Sequence, residues 1–382
     1  MDPREFQQSS SGRVIRSPKG YWAFVPNPLP PTLEWGVELA AALAEAERNL
    51  SRLNTFAGSL PFNQAQITAF MRQEAVLSSR IEGTRTTLSD LYIYEAGQLS
   101  FFEARQDANE VANYVKALEY GLERVKTLPV SLRLIREMHA RLMDKVRGGR
   151  LTPGEFRRSP NWIGPAGSTL ETAVYVPPPV EEMQVCLDEL EKFLQTGGQL
   201  PALVRAGLAH YQFEAIHPFL DGNGRIGRLL ILLLLHEWGS LSYPLLNLSA
   251  YFESRRSEYY TRLLDVSRRG AWSEWLLFFL KGAAVQAGAD AARLEKLTAL
   301  CEHYMEIINR GRRQEYLPRV LEVVFQRPIL TIRQVEEMVK APYMTAERCV
   351  ERLVKAGVLR EITGKARNRI FKADGVMDIL QG

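Results

Sequence analysis

The sequence predicts a mainly α-helical protein, and three observations predict it. Apolar residues recur with helical spacing over most of the 382 residues. Strand-like pieces are short and confined to two places, 157–179 and 358–372. The chain closes on a helix, a helix-turn-helix and a short hairpin, with no run of strands. Composition agrees: with 46% hydrophobic and 24% charged residues the chain can bury ordinary globular cores, and its length allows two or three domains.

A formal net charge of +4 is too small to argue by itself for nucleic acid or a membrane surface. Cys186, Cys301 and Cys349 lie far apart in no metal-binding spacing, which suggests a reducing compartment without a disulfide framework. The most apolar run, Leu229–Leu235, is far short of the roughly 20 residues of a membrane span and reads as a buried helix. Met1–Arg16 is polar and Ser-rich, shows no charged-then-apolar leader pattern and reads as a frayed tail, so the cytoplasm is the expected location.

In chain order, Pro26–Pro31 is a proline-rich lead-in and Leu33–Ser51 a helix rich in Ala, Leu and Glu. Asn63 suits an N-cap, and the helix it opens runs to Ile81 with Gly83 as its stop. Asp107–Val125 and Leu132–Val146 are amphipathic helices. The pattern breaks over Arg157–Pro179, where Asn161–Ile163 and Ala173–Val176 are strand-like and Gly164, Pro165 and Gly167 lie between them, as in a hairpin with a long loop. Helices resume at Val180–Gln195 and Leu203–Ile216, the latter stopped by Pro218. A tight turn at Gly222–Gly224 leads into a helix to Trp238, and further helices fill Arg255–Arg310. Then come a helix at Tyr316–Phe325, a second opened by a Thr331–Gln334 capping box, and a third from Thr345 to Gly357. A hairpin of Val358–Ile362 and Arg369–Lys372 turns at Gly364. That order is a winged helix-turn-helix. Arg360, Lys365, Arg367 and Arg369 make its wing basic, which suits DNA phosphates but equally a solvated face or a protein contact.

The chemistry concentrates where the tight turn meets its helix. Gly222-Asn223-Gly224 lets successive N–H groups point at one anion, and the helix N-terminus adds a positive end. Arg225 and Arg228 share a helix face there, where cations oppose the helix dipole unless an anion is bound; acids on a neighbouring helix are the other way to satisfy them. Asp221 is a lone carboxylate beside this cradle, suited to magnesium on a polyphosphate, with a turn cap as its plainer role. His217, at a helix end before Pro218, is placed to take a proton from a hydroxyl near neutral pH. Phe219 plugs the core, and His139, His210, His236 and His303 read as structural. Neither a Walker A pattern nor a Rossmann glycine fingerprint occurs.

The segment HPFLDGNGRIGR, His217–Arg228, resembles the Fic family signature His-Pro-Phe-x-Asp/Glu-Gly-Asn-Gly-Arg-x-x-Arg at every fixed position. The resemblance covers roughly Leu132–Lys281 and, more loosely, the N-terminal helices. It implies a Fic helical bundle with a β-hairpin flap, and a protein adenylyltransferase that moves AMP from ATP to a Ser, Thr or Tyr hydroxyl of a target protein and releases pyrophosphate. It implies His217 as general base, Asp221 as ligand of a Mg2+ bridging the α- and β-phosphates, Asn223 and the turn amides at the α-phosphate, and Arg225 and Arg228 at the β- and γ-phosphates. Gly222, Gly224, Ile226 and Gly227 complete the ATP-binding segment. Gly224 keeps the Gly-Asn-Gly pattern from which Doc-like kinases depart, which disfavours a reversed nucleotide and phosphorylation. Asn161, Trp162, Ile163 and Gly164, followed by Tyr175 and Pro177, are similar to the family's flap, whose strand edge holds a target segment. Tyr259 and Tyr260 resemble a pair lining the adenine pocket, whereas Ser267 stands where some relatives have Asn.

Upstream, SSRIEGT is similar to the family's inhibitory pattern, Ser/Thr-x-x-x-Glu-Gly/Asn, through Ser78, Glu82 and Gly83. The resemblance implies that Glu82 pairs with Arg228 and obstructs the γ-phosphate, and in some relatives the same Glu supports removal of AMP. The expected organisation is a disordered tail (1–20), an N-terminal helical region (21–125) with the inhibitory helix at 63–83, a Fic domain (126–290) with its flap at 157–179 and signature loop at 217–228, a linker helix (291–314) and a winged-helix domain (315–382). The competing function is a DNA-binding regulator whose core senses nucleotide. Self-modification, a homodimer, DNA as partner and a donor such as UTP stay open at this level; no membrane partner is expected.

Overall fold

The computed structural model describes residues 1–58, 63–97, 102–146, 151–196, 199–310 and 315–381. After a 3-10 turn at Pro3–Phe6 come β1 (Gly12–Arg16), β2 (Trp22–Pro26), α1 (Val37–Gly58), α2 (Asn63–Ile81), α3 (Leu88–Glu95), α4 (Phe102–Arg124), α5 (Leu132–Leu142), α6 (Val180–Thr196), α7 (Ala202–Ile216) and α8 (Asn223–Glu237). There follow α9 (Leu248–Ser254), α10 (Arg256–Arg269), α11 (Trp272–Asn309), α12 (Leu317–Gln326), β3 (Ile329–Thr331), α13 (Ile332–Val339), α14 (Tyr343–Lys355), β4 (Arg360–Glu361), β5 (Ile370–Lys372) and α15 (Asp374–Gln381). The mainly helical class is as expected. Two compact units interleave along the chain: Met1–Leu50, Asn113–Leu241 and Leu248–Gln286 form the first; Ser51–Ala112, Ser242–Asn247 and Ala287–Gly382 form the second. The linear regions expected from the sequence cut across both.

In the first unit, α7 and α8 are buried around nearly their whole circumference and pack on each other, as helices that are apolar all round must. The run Leu229–Leu235 lies buried within α8, and each such side chain contributes about 1.5–3 kcal/mol by leaving water. Helices α5, α6 and α10 and strand β2 cover this pair. The expected disordered tail is corrected. Phe6 is buried, with its ring 5.7 Å from Phe24 and 6.2 Å from Tyr175. Strand β1 pairs antiparallel with β2 from Gly12–Pro26 to Arg16–Trp22. The serines dominate the composition of this stretch, but one buried phenylalanine and a paired strand suffice to order it. The two pieces of the expected hairpin over 161–176 meet antiparallel, but their pairing is short. It is reduced to one bridge between Ile163 and Tyr175, with Ile163 N–H donating to Tyr175 O (2.9 Å) and Tyr175 N–H to Ile163 O (3.1 Å). Pro160 and Pro177 flank the two pieces and have no N–H with which to extend a ladder.

In the second unit, α2 runs over the expected Asn63–Ile81, and Gly83 takes the positive φ (+103°) that ends it. Helix α2 packs on α12, α3 and α15. Arg72 of α2 pairs with Glu95 (3.0 Å), which also pairs with Arg327 (2.9 Å), while Gln334 Nε2 donates to Glu95 O (3.2 Å). The Thr331–Gln334 capping box forms at α13. Helix α14 starts at Tyr343, ahead of the expected Thr345, because Pro342 already supplies a compatible N-cap backbone. The sheet order is β3-β5-β4, with α3, β3 and α15 additional to the elements read from sequence. Half of the expected basic wing is neutralised within this unit: Arg360 pairs with Asp374 (2.7 Å) and Arg369 with Glu347 (2.7 Å), while Lys365 and Arg367 are exposed. Among the described residues no helix is long and apolar enough to cross a membrane.

Candidate active site

The site is the turn from α7 to α8. His217 caps α7 in the left-handed region (φ 49°, ψ 60°), its N–H donating to Phe213 O (2.9 Å). Its Nδ1 lies 3.3 Å from Glu214 O. A carbonyl only accepts, so Nδ1 carries the proton and the lone pair falls on Nε2. That tautomer is the one a base acting through Nε2 requires.

Phe219 anchors the loop: it is fully buried and stacks on His139 with centroids 3.7 Å apart. Asn223 brackets its backbone, Oδ1 accepting from Phe219 N–H (2.8 Å) and Nδ2 donating to Phe219 O (2.8 Å). Both polar atoms of the Asn223 side chain thereby brace the loop. What Asn223 offers an anion is its main-chain N–H. With those of Gly224 and Arg225 this belongs to the first turn of α8, where no acceptor four residues back exists within the helix.

His139 holds the other end of the loop. Gly154 N–H donates to its Nδ1 (2.9 Å), so Nε2 carries the proton and donates to Asp221 O (3.0 Å). Burial pushes its pKa down to about 4, which keeps the ring neutral. Gly222 has φ +80°, and a Cβ there would come within 2.9 Å of Met143 Sδ, so both backbone and space demand glycine. The Asp221 side chain is 43% exposed; its Oδ1 accepts from Gly222 N–H (2.6 Å) and lies 3.7 Å from Arg225 Nη2. Arg225 and Arg228 are buried in the first turns of α8. Among the described residues no three His, Cys, Asp or Glu side chains cluster as a metal set. One accessible carboxylate beside a phosphate cradle fits Mg2+, which completes its shell with substrate oxygens and water.

Several expected contacts do not fit a nucleotide pocket. Ile226 is fully buried, and a Cβ at Gly227 would land on Glu214 Oε1, so both serve the close approach of α7 and α8. Tyr259 is wholly buried, stacked 4.5 Å from Phe252 and bonded through its hydroxyl to His210 Nε2 (2.7 Å). Burial pushes its phenol well above the ordinary range, with Glu214 adding to the rise and Arg228 opposing it. It is a core tyrosine; Tyr260, 40% exposed, is the member of the pair that reaches the surface. Ser267 is buried, bonded to Tyr211 OH (2.9 Å). In the flap, Asn161 Nδ2 donates to His217 O (3.2 Å) and Phe219 O (2.9 Å), so Asn161 faces the loop. Trp162 and Ile163 are 42% and 38% exposed. A Cβ at Gly164 would meet Ser168 Oγ at 2.7 Å. Tyr175 OH donates to Ala215 O (2.8 Å).

In the second unit, Ser78 is buried near the end of α2, and Glu82 and Gly83 form the turn after it. Their N–H groups donate to Ser79 O (3.1 Å) and Arg80 O (3.0 Å).

Two residues of the first unit that support the loop were not legible as such. His139 reads from sequence as structural, and Arg157 carries no motif. Their partners in the loop are main-chain oxygens 82 and 60 positions away, which no local pattern registers.

Residues 40–123 match the model of the Fic/DOC family N-terminal region, and residues 129–235 that of the Fic/DOC family. The protein adenylyltransferase Fic of Drosophila willistoni is 31% identical over 184 residues, 47% of this chain and 34% of the relative. That of Drosophila grimshawi is 30% identical over 184 residues, 47% and 35% of the two chains. This chain thus spans about a third of the length of the curated relatives it matches. A Fic family protein from Desulfovibrio desulfuricans superposes with a TM-score of 0.57 at 16% identity, covering 90% of this chain and 98% of that one. Fic-1 of C. elegans gives 0.51 at 23% identity, covering 69% and 74%. At these identities the structures establish likeness of fold.

Proposed function

This chain belongs to the Fic/DOC family, and from that premise we propose that it is a protein adenylyltransferase, moving AMP from ATP to a Ser, Thr or Tyr hydroxyl of a protein and releasing pyrophosphate. The observation that carries the reading is His217, its Nδ1 turned to Glu214 O, on the same short turn as the first amides of α8.

In the proposed reaction His217 Nε2 takes the hydroxyl proton as the oxygen attacks the α-phosphorus. The bond from the α-phosphorus to the oxygen bridging to the β-phosphate breaks, and pyrophosphate leaves with that electron pair. The N–H groups of Asn223, Gly224 and Arg225 hold an α-phosphate oxygen, and Arg225 and Arg228 take the outer phosphates. Such a site works by positioning and by charges already in place. Asp221 would hold Mg2+ beside the phosphates, and the ion would supply charge neutralisation there. Trp162 and Ile163 present the flap edge to a target segment. Glu82, in the inhibitory pattern, restrains the site by competing with the γ-phosphate for Arg228, and reverse removal of AMP belongs to the same reading. The DNA-binding alternative draws little from the wing, where Arg360 and Arg369 already have carboxylate partners.

His217→Ala is the test. Transfer of label from α-labelled ATP is expected to fall about 100-fold or more, since a positioned base contributes at least that much, while calorimetric ATP affinity stays within about twofold. Near-normal transfer by this variant would remove His217 from the mechanism.

A further inference from the structure

His217 sits in a backbone region unfavourable for any residue with a Cβ, and something must hold it there. The carbonyls of Ile216, His217, Pro218 and Phe219 follow one another around this turn, and Arg157 or Asn161 donates to each of the four. Arg157 Nε donates to His217 O (3.0 Å), Arg157 Nη2 to Ile216 O (3.4 Å) and the Arg157 main-chain N–H to Pro218 O (2.9 Å). Asn161 Nδ2 donates to His217 O and Phe219 O (3.2 and 2.9 Å). Arg157 Nη2 also donates to Pro178 O (2.6 Å) and Nη1 to Ser159 O (3.3 Å), so the guanidinium binds carbonyls on both sides of the flap and on the base itself.

Arg157 is 2% exposed, and among the described residues no carboxylate pairs with it. A buried cation facing only carbonyls is a costly arrangement where simple anchoring would do. Its planar fork does what a lysine cannot: it fixes several acceptors in one plane at set angles. Burial brings its pKa down to about 10, which leaves it charged at neutral pH.

We propose that Arg157 is a positioning residue for the AMP-transfer reaction: by clamping the His217 carbonyl it holds the residue in its left-handed turn and so aims Nε2 at the target hydroxyl. The inference rests on His217 serving as the base. It places the flap's first residues in the service of the base as well as of the target segment.

The test uses the full chain with ATP and magnesium, and the variants Arg157→Lys and Arg157→Met. Two quantities are read: the backbone 13C shifts of His217, one of five histidines in a histidine-labelled sample, and the kcat and ATP KM of auto-transfer from α-labelled ATP. In folded Arg157→Lys the His217 shifts are expected to leave the left-handed range. The kcat falls about tenfold to a hundredfold with ATP KM within about twofold, since misaiming a reacting group costs rate and not nucleotide affinity. Arg157→Met should do at least as much. Unchanged His217 shifts with kcat within about twofold would overturn the proposal, as would KM rising in step with the loss of kcat, which marks general damage to the cradle. Unfolding of both variants would make Arg157 a stabiliser only, and would overturn it too. If the unmodified protein transfers no AMP, the functional reading fails, while the histidine shifts still decide whether Arg157 holds His217.

Discussion

At His217 the chain accepts an awkward backbone, with φ 49°, in order to turn one imidazole out of a helix end while Glu214 O fixes its proton on Nδ1. Asp221 is the neighbouring residue on which most of the proposed metal chemistry depends. Its carboxylate already touches Gly222 N–H and lies near Arg225, so a turn cap and a metal ligand make opposite predictions. As ligand, Asp221→Ala should raise the magnesium needed for half-maximal transfer by about tenfold or more, the metal having lost its protein carboxylate. A magnesium titration indistinguishable from that of the unmodified chain would make Asp221 a cap. At this scale the placing of His217, Asp221, Gly222 and the two arginines on one turn between two helices was legible, because each is a chemically distinctive type at fixed spacing. Ile226, Gly227 and Tyr259 were misread because spacing cannot say which face of α8 or α10 meets the core. The brace that the Asn223 side chain forms on Phe219 was not legible, because it joins a side chain to a main chain four residues back.

At the scale of elements, α2 has the limits the sequence led one to expect, Asn63–Ile81, with Gly83 as its stop. Within its own unit it is pinned by packing on α12 and by the Arg72–Glu95–Arg327 ion pairs. The inhibitory pattern follows directly at its C-terminal turn. Replacing Glu82 by Gly should therefore raise auto-modification with AMP. A gain of about 1.4 kcal/mol in productive alignment is already a tenfold rate. If Glu82 restrains the site as proposed, adding Arg228→Ala to Glu82→Gly should cancel most of that gain, because the two changes would then act on one interaction and could not add. Flat activity in Glu82→Gly alongside a dead His217→Ala would leave the transferase reading standing and refute the brake. Other elements were less legible for physical reasons. The flap looked like a hairpin from its β-branched residues, but its prolines limit pairing to one bridge. Strand β3 is three residues long and α3 and α15 eight each, too short for periodicity to register.

For the whole molecule, the division into two units was the least legible feature. Its boundaries near Leu50, Ala112 and Gln286 fall inside α1, α4 and α11, so no glycine- or proline-rich linker announces them. The helical class, and the three helices and the hairpin after Tyr316, were legible, because apolar periodicity and caps are local signals, whereas β3 and α15 were not. The central claim, that the α-phosphate of ATP ends on protein, needs a measurement that distinguishes AMP transfer from phosphorylation. The full chain and Glu82→Gly are incubated with magnesium and ATP labelled in parallel on the α- or the γ-phosphate, and protein-bound label and intact mass are read together. The account predicts that α-label becomes covalently attached with the mass of AMP, that γ-label does not, and that His217→Ala abolishes the attachment. Covalent γ-label without α-label, or no attachment in either protein, would contradict it.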